Sequence, residues 1–330
     1  MAGVRESVNC PTLTVSYEDK RRVKGMGFVV NKGTDNFSAR IITTNGKVTA
    51  DQVARLAEAS NKYGNGEVAL TSRLTFEVIG IPYEKIDEFV EYIGEVGLVT
   101  GGTGSKVRPV VSCKGTVCRF GLIDTFDISE KMHDKFYDGY EFVKLPHKFK
   151  IAVGGCPNNC VKPTTNDLAV VGQYVPNYDI DSCVGCKICN PEEVCPMNAI
   201  EVVDTSEGRK MQIDYDICNN CGLCVESCPF DSIEDGEKKY KMYLGGRWGK
   251  LNNEAFPMKT LFSTEDEVMD IIEKMILIYR EQGNTGERMS QTVQRIGMEN
   301  IEEQLLSDEI WDRKQEILDA PLHLKGGAKC

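Results

Sequence analysis

The sequence predicts an α+β protein in two parts, the second of them interrupted by a short cysteine-rich insert. Three observations carry that expectation. Strand-like and amphipathic helical runs alternate over the first hundred residues. Two close cysteine pairs follow strand-like runs between residues 107 and 160. Between 177 and 237 the composition then turns acidic and cysteine-rich before strand and helix patterns resume.

Residues 1–25 are mixed and weakly patterned. Residues 27–30 and 37–43 read as strands by β-branched content and alternation. Thr49 with Gln52 forms a capping-box signature, and Val53, Leu56, Ala57 and Tyr63 then mark a helical face. Residues 67–72 and 74–79 are further strands, and Pro82 opens a helix with Ile86, Phe89, Val90 and Ile93 on one side. These runs predict a β-α-β-β-α unit, an open sheet with helices on one face, within a first domain of residues 1–100.

Gly101-Gly-Thr-Gly-Ser105 reads as a plain flexible connector, because a lone glycine cluster is a weak phosphate signal. A strand over 107–111 leads into Cys113, residues 119–138 are expected to be helical, and 149–153 and 168–174 are strands. After the insert, 240–244 resumes as strand ahead of Gly245-Gly246-Arg247. Val268, Ile271, Ile272, Met275, Ile276 and Tyr279 mark an amphipathic helix. Two short helices fit 286–306, and the last ten residues are expected to be loose. Residues 101–176 and 238–330 thus form one domain closing around the insert 177–237.

Composition narrows the function classes. Hydrophobic content of 41% and charged content of 27% describe an ordinary soluble chain. The N-terminus lacks a basic start followed by an apolar run, and Asp270, Glu273 and Lys274 break the apolar stretch 269–279. The expected location is cytoplasmic, with no membrane. Fourteen cysteines in a reducing compartment argue for metal rather than disulfides. Fourteen acidic against three basic residues between Tyr178 and Glu237 account for the whole net charge of −11. With the remainder neutral and no basic stripe, nucleic-acid binding is disfavoured.

Within the insert stand Cys183-x2-Cys186-x2-Cys189-x5-Cys195-Pro196 and Cys218-x2-Cys221-x2-Cys224-x3-Cys228-Pro229. Paired Cys-x2-Cys spacings also build zinc sites, but two triple runs, each closed by Cys-Pro, favour iron–sulfur cubanes. The pattern matches that of bacterial two-cluster ferredoxins, in which each cubane takes three cysteines from one run and the fourth from the other. The match implies one cluster on Cys183, Cys186, Cys189 and Cys228, and another on Cys218, Cys221, Cys224 and Cys195. Five residues ahead of Cys195 depart from the usual spacing. The insert therefore predicts one-electron transfer, with its acidic surface steering a donor.

The centre of the chain is Cys113-Lys-Gly-Thr-Val-Cys118 followed by Lys148-Phe-Lys150-Ile-Ala-Val-Gly-Gly-Cys156-Pro-Asn-Asn-Cys160. Paired thiolates suit a soft metal centre, adjacent ammonium groups suit an anion, and small residues allow close approach of a large cofactor. This arrangement resembles the sirohaem and [4Fe–4S] signature of the sulfite and nitrite reductase family. The resemblance implies that Cys113, Cys118, Cys156 and Cys160 hold a cubane, that Cys160 bridges to the sirohaem iron, and that Asn158 lies against the cofactor. The first pair has four intervening residues where the family commonly has five, so its loop is tighter. Arg40 ahead of Asn45-Gly46, Arg73 in Thr71-Ser72-Arg73, and Lys148 and Lys150 after Leu145-Pro146 match the family's cations. There they bind sirohaem carboxylates and the substrate anion and supply protons.

The resemblance covers about residues 20–300. With its ferredoxin insert in a single-copy reductase domain, the chain looks similar to the catalytic component, named C, of three-part anaerobic sulfite reductases. It implies six-electron reduction of sulfite to sulfide at one sirohaem, with three [4Fe–4S] clusters and about thirteen iron atoms per chain. Electrons would enter through the insert from iron–sulfur and flavin subunits using NADH or NADPH, since no Gly-x-Gly-x-x-Gly is present here. Larger members carry two copies of the domain, so a homo-oligomer sharing Arg or Lys side chains, or a multi-subunit complex, is implied. Nitrite reduction to ammonia and a non-catalytic multi-cluster electron carrier are the alternatives. His147 reads as a loop histidine, His133 and His323 as surface residues, and Cys10 and Cys330 as outside any ligand set.

Overall fold

The computed structural model describes residues 15–323. Helix α1 (Tyr17–Gly25), which the weak pattern of residues 1–25 did not signal, starts where the Ser16 hydroxyl accepts the Asp19 N–H at 3.0 Å. It buries only Val23, so its helical stripe is one residue wide. Strands β1 (Phe28–Val30) and β2 (Asn36–Ile41) precede α2 (Ala50–Tyr63), whose capping box forms as expected: Gln52 N–H to Thr49 Oγ1 at 3.2 Å and Thr49 N–H to Gln52 Oε1 at 3.0 Å. Strands β3 (Val68–Leu70) and β4 (Phe76–Pro82) and helix α3 (Ile86–Gly94) complete the unit. Both strands expected ahead of α2 are present, so the unit is β-β-α-β-β-α. The antiparallel sheet runs β1-β2-β4-β3. Pro82 closes β4 rather than opening the helix, and a 3₁₀ turn at Tyr83–Lys85 intervenes. Phe28, Phe37, Leu56, Ile81, Phe89 and Ile93 close one core between sheet and helices.

The second core surrounds a five-stranded sheet. Strand β5 is only Val111–Ser112, at the sheet edge, and Val107 makes a separate parallel bridge to Phe149. Helix α4 (Thr125–Met132), capped by Asp124, begins later than residue 119 and continues as a π turn over His133–Asp138. Strands β6 (Ile151–Gly154) and β7 (Leu168–Pro176) follow. The insert contributes α5 (Asn190–Val194) and the hairpin β8 (Ile200–Thr205) and β9 (Gly208–Ile213). The chain returns as β10 (Gly236–Leu244) and β11 (Phe256–Phe262), then α6 (Glu265–Gln282), α7 (Met289–Ile296) and α8 (Met298–Leu306). Strand β11 carries Pro257 and had no clear strand pattern; it lies at the sheet edge, where proline is tolerated.

The sheet order is β11-β10-β7-β6-β5, parallel from β5 to β7 and antiparallel from β7 to β11. Pro176 stands opposite Gly236, so residues 177–235 form one long loop between neighbouring antiparallel strands. An insertion at that place leaves the ladder intact. Helix α6 is buried from Val268 to Tyr279 except at Asp270 and fills the core against Phe149 and Met242.

Two expectations are corrected. Residues 101–103 are buried, and a Cβ on Gly101 would stand 2.5 Å from Tyr137 Oη, so the glycine cluster is a packed crossing, not a flexible connector. His133 is buried, at 5% exposure, against Tyr137, and is not a surface residue. Exposed His323 accepts the Thr285 N–H through its carbonyl. Cys10, Cys330 and residues 324–330 lie outside the described residues.

Candidate functional site

The two cores meet at a cationic cleft. Lys148 and Lys150 flank Phe149, which is fully buried, so strand alternation sends the two lysines to the same face just ahead of β6. Arg40 projects from β2 and pairs with Glu77 opposite it on β4, through Nη2 at 2.6 Å and Nε at 3.0 Å, while Nη1 reaches the Gly102 carbonyl at 3.2 Å. Arg73 sits in the β3–β4 turn, where Thr71 Oγ1 accepts its N–H and Leu74 takes φ +57°. Its guanidinium crosses to the second core: Nη1 donates to Asn166 Oδ1 at 2.7 Å and Nη2 to the Pro109 carbonyl at 2.6 Å.

A cavity of about 240 Å³ is lined by Arg40, Arg73, Thr75, Gly102, Arg108, Pro109, Lys148 and Lys150. The four cations expected from sequence are together, and no carboxylate is among the lining residues. Arg108 is a fifth cation that sequence reasoning missed; its only signal was its position in the run leading to Cys113. Its Nη2 donates to the Gly104 carbonyl at 2.8 Å, and Nη1 bonds the Gly102 carbonyl. Burial pulls Arg73 and Arg108 down to about 10, with neighbouring arginines adding to the effect, and both stay charged at neutral pH. Lys150 is pulled down to about 8, first by burial and then by Arg73, against the opposing pull of Asp167. His147 falls to about 4 through burial and the surrounding cations, so it is neutral.

A second cavity of about 320 Å³ shares Arg73 and Lys150 and adds Val161, Lys162, Asn166 and Trp248. Val161 follows Cys160 directly, so the cysteine loop borders the cationic cleft. Cys160 is exposed, whereas Cys113, Cys118 and Cys156 are half-buried. The four come together beyond the ends of β5 and β6. Burial pushes the Cys156 thiol up, and Cys113, Cys160 and Cys118 push it further, while the Asn158 N–H opposes them. Gly155 N–H donates to Cys113 Sγ at 3.2 Å. The Asn158 side chain is on the exposed part of this loop.

A Cβ on Gly155 would stand 2.9 Å from Gly115 Cα and 3.3 Å from Cys113 Sγ. Gly155→Ala is therefore expected to part the two cysteine turns, at about 1–3 kcal/mol for an overpacked contact. Iron per chain and Tm should both fall. Unchanged iron content would show that the turns can separate without losing the site.

In the insert, Cys195, Cys218, Cys221 and Cys224 line one small apolar cavity with Ile200, Ile213 and Leu223. Cys224 is pushed up to about 12 by burial, with Cys218, Cys221 and Cys195 adding to it. Cys189 is pushed up in the same way beside Cys183 and Cys186. Backbone N–H groups of Met211, Ala199 and Asn220 point at Cys183, Cys195 and Cys218. Among the described residues, no three His, Cys, Asp or Glu side chains close tightly enough to hold a single metal ion. Thiols around a cubane each take their own iron and stand further apart, and N–H···S bonds of this kind tune such clusters.

Three features test whether a carboxylate-rich tetrapyrrole fits the cleft. Its five lining cations have no carboxylate among the other lining residues. Arg73 Nε and Arg108 Nε are buried without a hydrogen-bond partner. One exposed thiol stands at the rim. A polyanionic ring bound beside a thiolate would answer all three, and the residues present fit the group.

The family model for the nitrite and sulphite reductase 4Fe-4S domain matches residues 103–314, and that for the nitrite/sulfite reductase ferredoxin-like half domain matches residues 30–96. The coenzyme F420-dependent sulfite reductase of Methanocaldococcus jannaschii is 31% identical over 250 residues, 75% of this chain but 38% of the relative. The chain thus spans well under half of that relative's length. A component of the anaerobic sulfite reductase of Salmonella typhimurium, the one lettered C, is 25% identical over 230 residues, 65% of this chain and 66% of the relative. The crystal structure of dissimilatory sulfite reductase I superposes with a TM-score of 0.66 at 20% identity, over 89% of this chain and 72% of that one. No helix among the described residues is long and apolar enough to cross a membrane.

Proposed function

The chain belongs to the nitrite and sulphite reductase family, and we propose that within it the protein reduces sulfite to sulfide in a six-electron reaction. The observation that carries this reading is the cleft in which five cations converge beside an exposed cysteine of a four-thiol cluster. Relatives named as sulfite reductases favour sulfite over nitrite as the anion.

Cys113, Cys118, Cys156 and Cys160 would hold a [4Fe–4S] cluster, with Cys160 shared with sirohaem and Asn158 against the ring. That coupled group, when bound, supplies the electrons. The chain's own residues do the rest. Arg40, Arg73 and Arg108 offer fixed guanidinium donors to carboxylates and to the substrate anion. Lys148 and Lys150 offset the charge of the sulfite oxygens and deliver protons as oxygen leaves as water. Lys150 suits that task because burial leaves it charged at pH 7 yet ready to give up its proton. Each such donor is commonly worth about 3–4 kcal/mol in the transition state.

The insert, residues 177–237, would carry two further [4Fe–4S] clusters in a ferredoxin-like arrangement: Cys183, Cys186, Cys189 and Cys228 for one, Cys218, Cys221, Cys224 and Cys195 for the other. The second set lies beside the main sheet, since Tyr174 N–H on β7 donates to the Asn220 carbonyl at 2.8 Å. The acidic face of the insert would receive an electron-donating subunit, in the cytoplasm. A multi-subunit complex, or a pair of these chains each lending cations to the other, accords with a relative named as a subunit.

Anaerobic turnover with a reduced low-potential dye tests the reading. The cluster-replete protein is given sulfite or nitrite in parallel, and sulfide, ammonia and electrons consumed are measured. Preference for sulfite, about six electrons per sulfide and about thirteen iron atoms per chain are expected. Preference for nitrite would change the substrate. Clusters without a haem-like absorption band would leave an electron carrier.

A further inference from the structure

Lys150 is held from behind by a buried ion pair that the proposed chemistry does not itself use. Asp167, fully buried just before β7, accepts the Lys150 N–H on Oδ2 at 3.0 Å, while the Lys150 carbonyl accepts the Leu168 N–H at 3.0 Å. The lysine backbone is thus clamped on both sides by two consecutive residues. The same carboxylate takes Arg288 Nη2 at 2.9 and 3.1 Å. Arg288 is 6% exposed, immediately precedes α7 and leaves its Nε without a partner. Next in chain, Asn166 takes the Arg73 guanidinium.

We propose that Asp167 and Arg288 are positioning residues for Lys150: the carboxylate fixes its backbone at the cleft floor, and the opposed charges of the pair set its proton affinity. Ion pairs buried this deeply add little net stability over apolar packing, so another role for this one is reasonable. The charged groups that act on Lys150 are Arg73 from the β3–β4 turn, Asp167 ahead of β7, Arg288 at the start of α7, and Lys148 two residues before it in the run ahead of β6. Asp167 favours the charged ammonium; the three cations disfavour it. Removing one member of the pair or the other must therefore move Lys150 in opposite directions, which loss of folding alone would not do.

This inference rests on reading Lys150 as the proton donor only for its bearing on catalysis; its test needs neither sulfite nor sirohaem. In the full-length chain, the rate of Lys150 acetylation by acetic anhydride is followed against pH by peptide mass spectrometry. The wild-type midpoint is expected near 8. Asp167→Asn should lower it and Arg288→Met should raise it, each by about one pH unit or more. Arg288→Lys, which keeps the charge, should leave it near the wild-type value. If Asp167→Asn fails to accumulate, the contrast of Arg288→Met with Arg288→Lys decides. Midpoints that stay put, or that move in the same direction in both single variants, overturn the proposal. Absence of sulfite turnover in the wild type would overturn the functional reading and leave these shifts intact.

Discussion

A Cys160→Ser chain is expected to lose sulfite reduction, falling below about 1% of wild-type turnover, while the clusters proposed on the insert thiols are retained. The magnitude follows from the position of the residue. Changing groups that merely orient metal ligands costs about 10–100-fold, so removing the ligand proposed to be shared should exceed the top of that range. Cys160 is the exposed member of its set, and its neighbour Val161 lines the second cavity, which shares Arg73 and Lys150 with the cleft, so it stands where a second group could share it. Sulfide production and low-temperature paramagnetic resonance of the dithionite-reduced protein provide the two readouts. The insert signals should persist. Retained turnover would remove the bridging assignment and shift attention to another thiol.

Lys150→Met is expected to lower kcat by about 10²–10⁴-fold, the range for loss of a positioned acid. Methionine fills similar space without charge, so the change isolates the ammonium. In the wild type, Lys150 is depressed to about 8, chiefly by burial. The charged acid is present below that value and is lost as pH rises through it, so kcat/KM in the free protein should fall along an alkaline limb near 8. Lys150→Arg should move that limb upward, because guanidinium keeps its proton, yet should restore little rate for the same reason. Binding of polyanionic groups in the cleft would raise the limb, since their charge favours the ammonium. A wild-type profile flat from pH 7 to 10, or a methionine variant of near-normal rate, would exclude Lys150 as the proton source.

Much of the site was legible because its chemistry is written in local spacing. The twelve paired cysteines, the Lys148–Lys150 alternation and the Thr49–Gln52 cap depend on neighbours within a few residues. Arg40 and Arg73 were found through resemblance rather than periodicity; a single arginine on a strand or in a turn carries no such mark. Helix α1 escaped notice because one buried residue, Val23, makes no stripe. The glycine run at 101–105 was misjudged for the opposite reason. Its composition suits a mobile linker, but Tyr137 and two arginines hold it from outside the segment. His133 likewise looks exposed from sequence, but it is buried, with the Tyr137 ring against it.

By itself the sequence showed the close-spaced cysteine runs and the acidic, cysteine-rich stretch between residues 177 and 237, since thiol spacing and charge density are local properties of the chain. Tertiary structure decided what the cleft contains and how strongly its groups are perturbed. Arg73 and Asn166 are 93 residues apart, and Arg288 and Asp167 are 121 apart. Only folding makes them partners. Only burial among those cations brings Lys150 from an ordinary surface amine to about 8, because desolvation and like charge act through space and have no representation in sequence order.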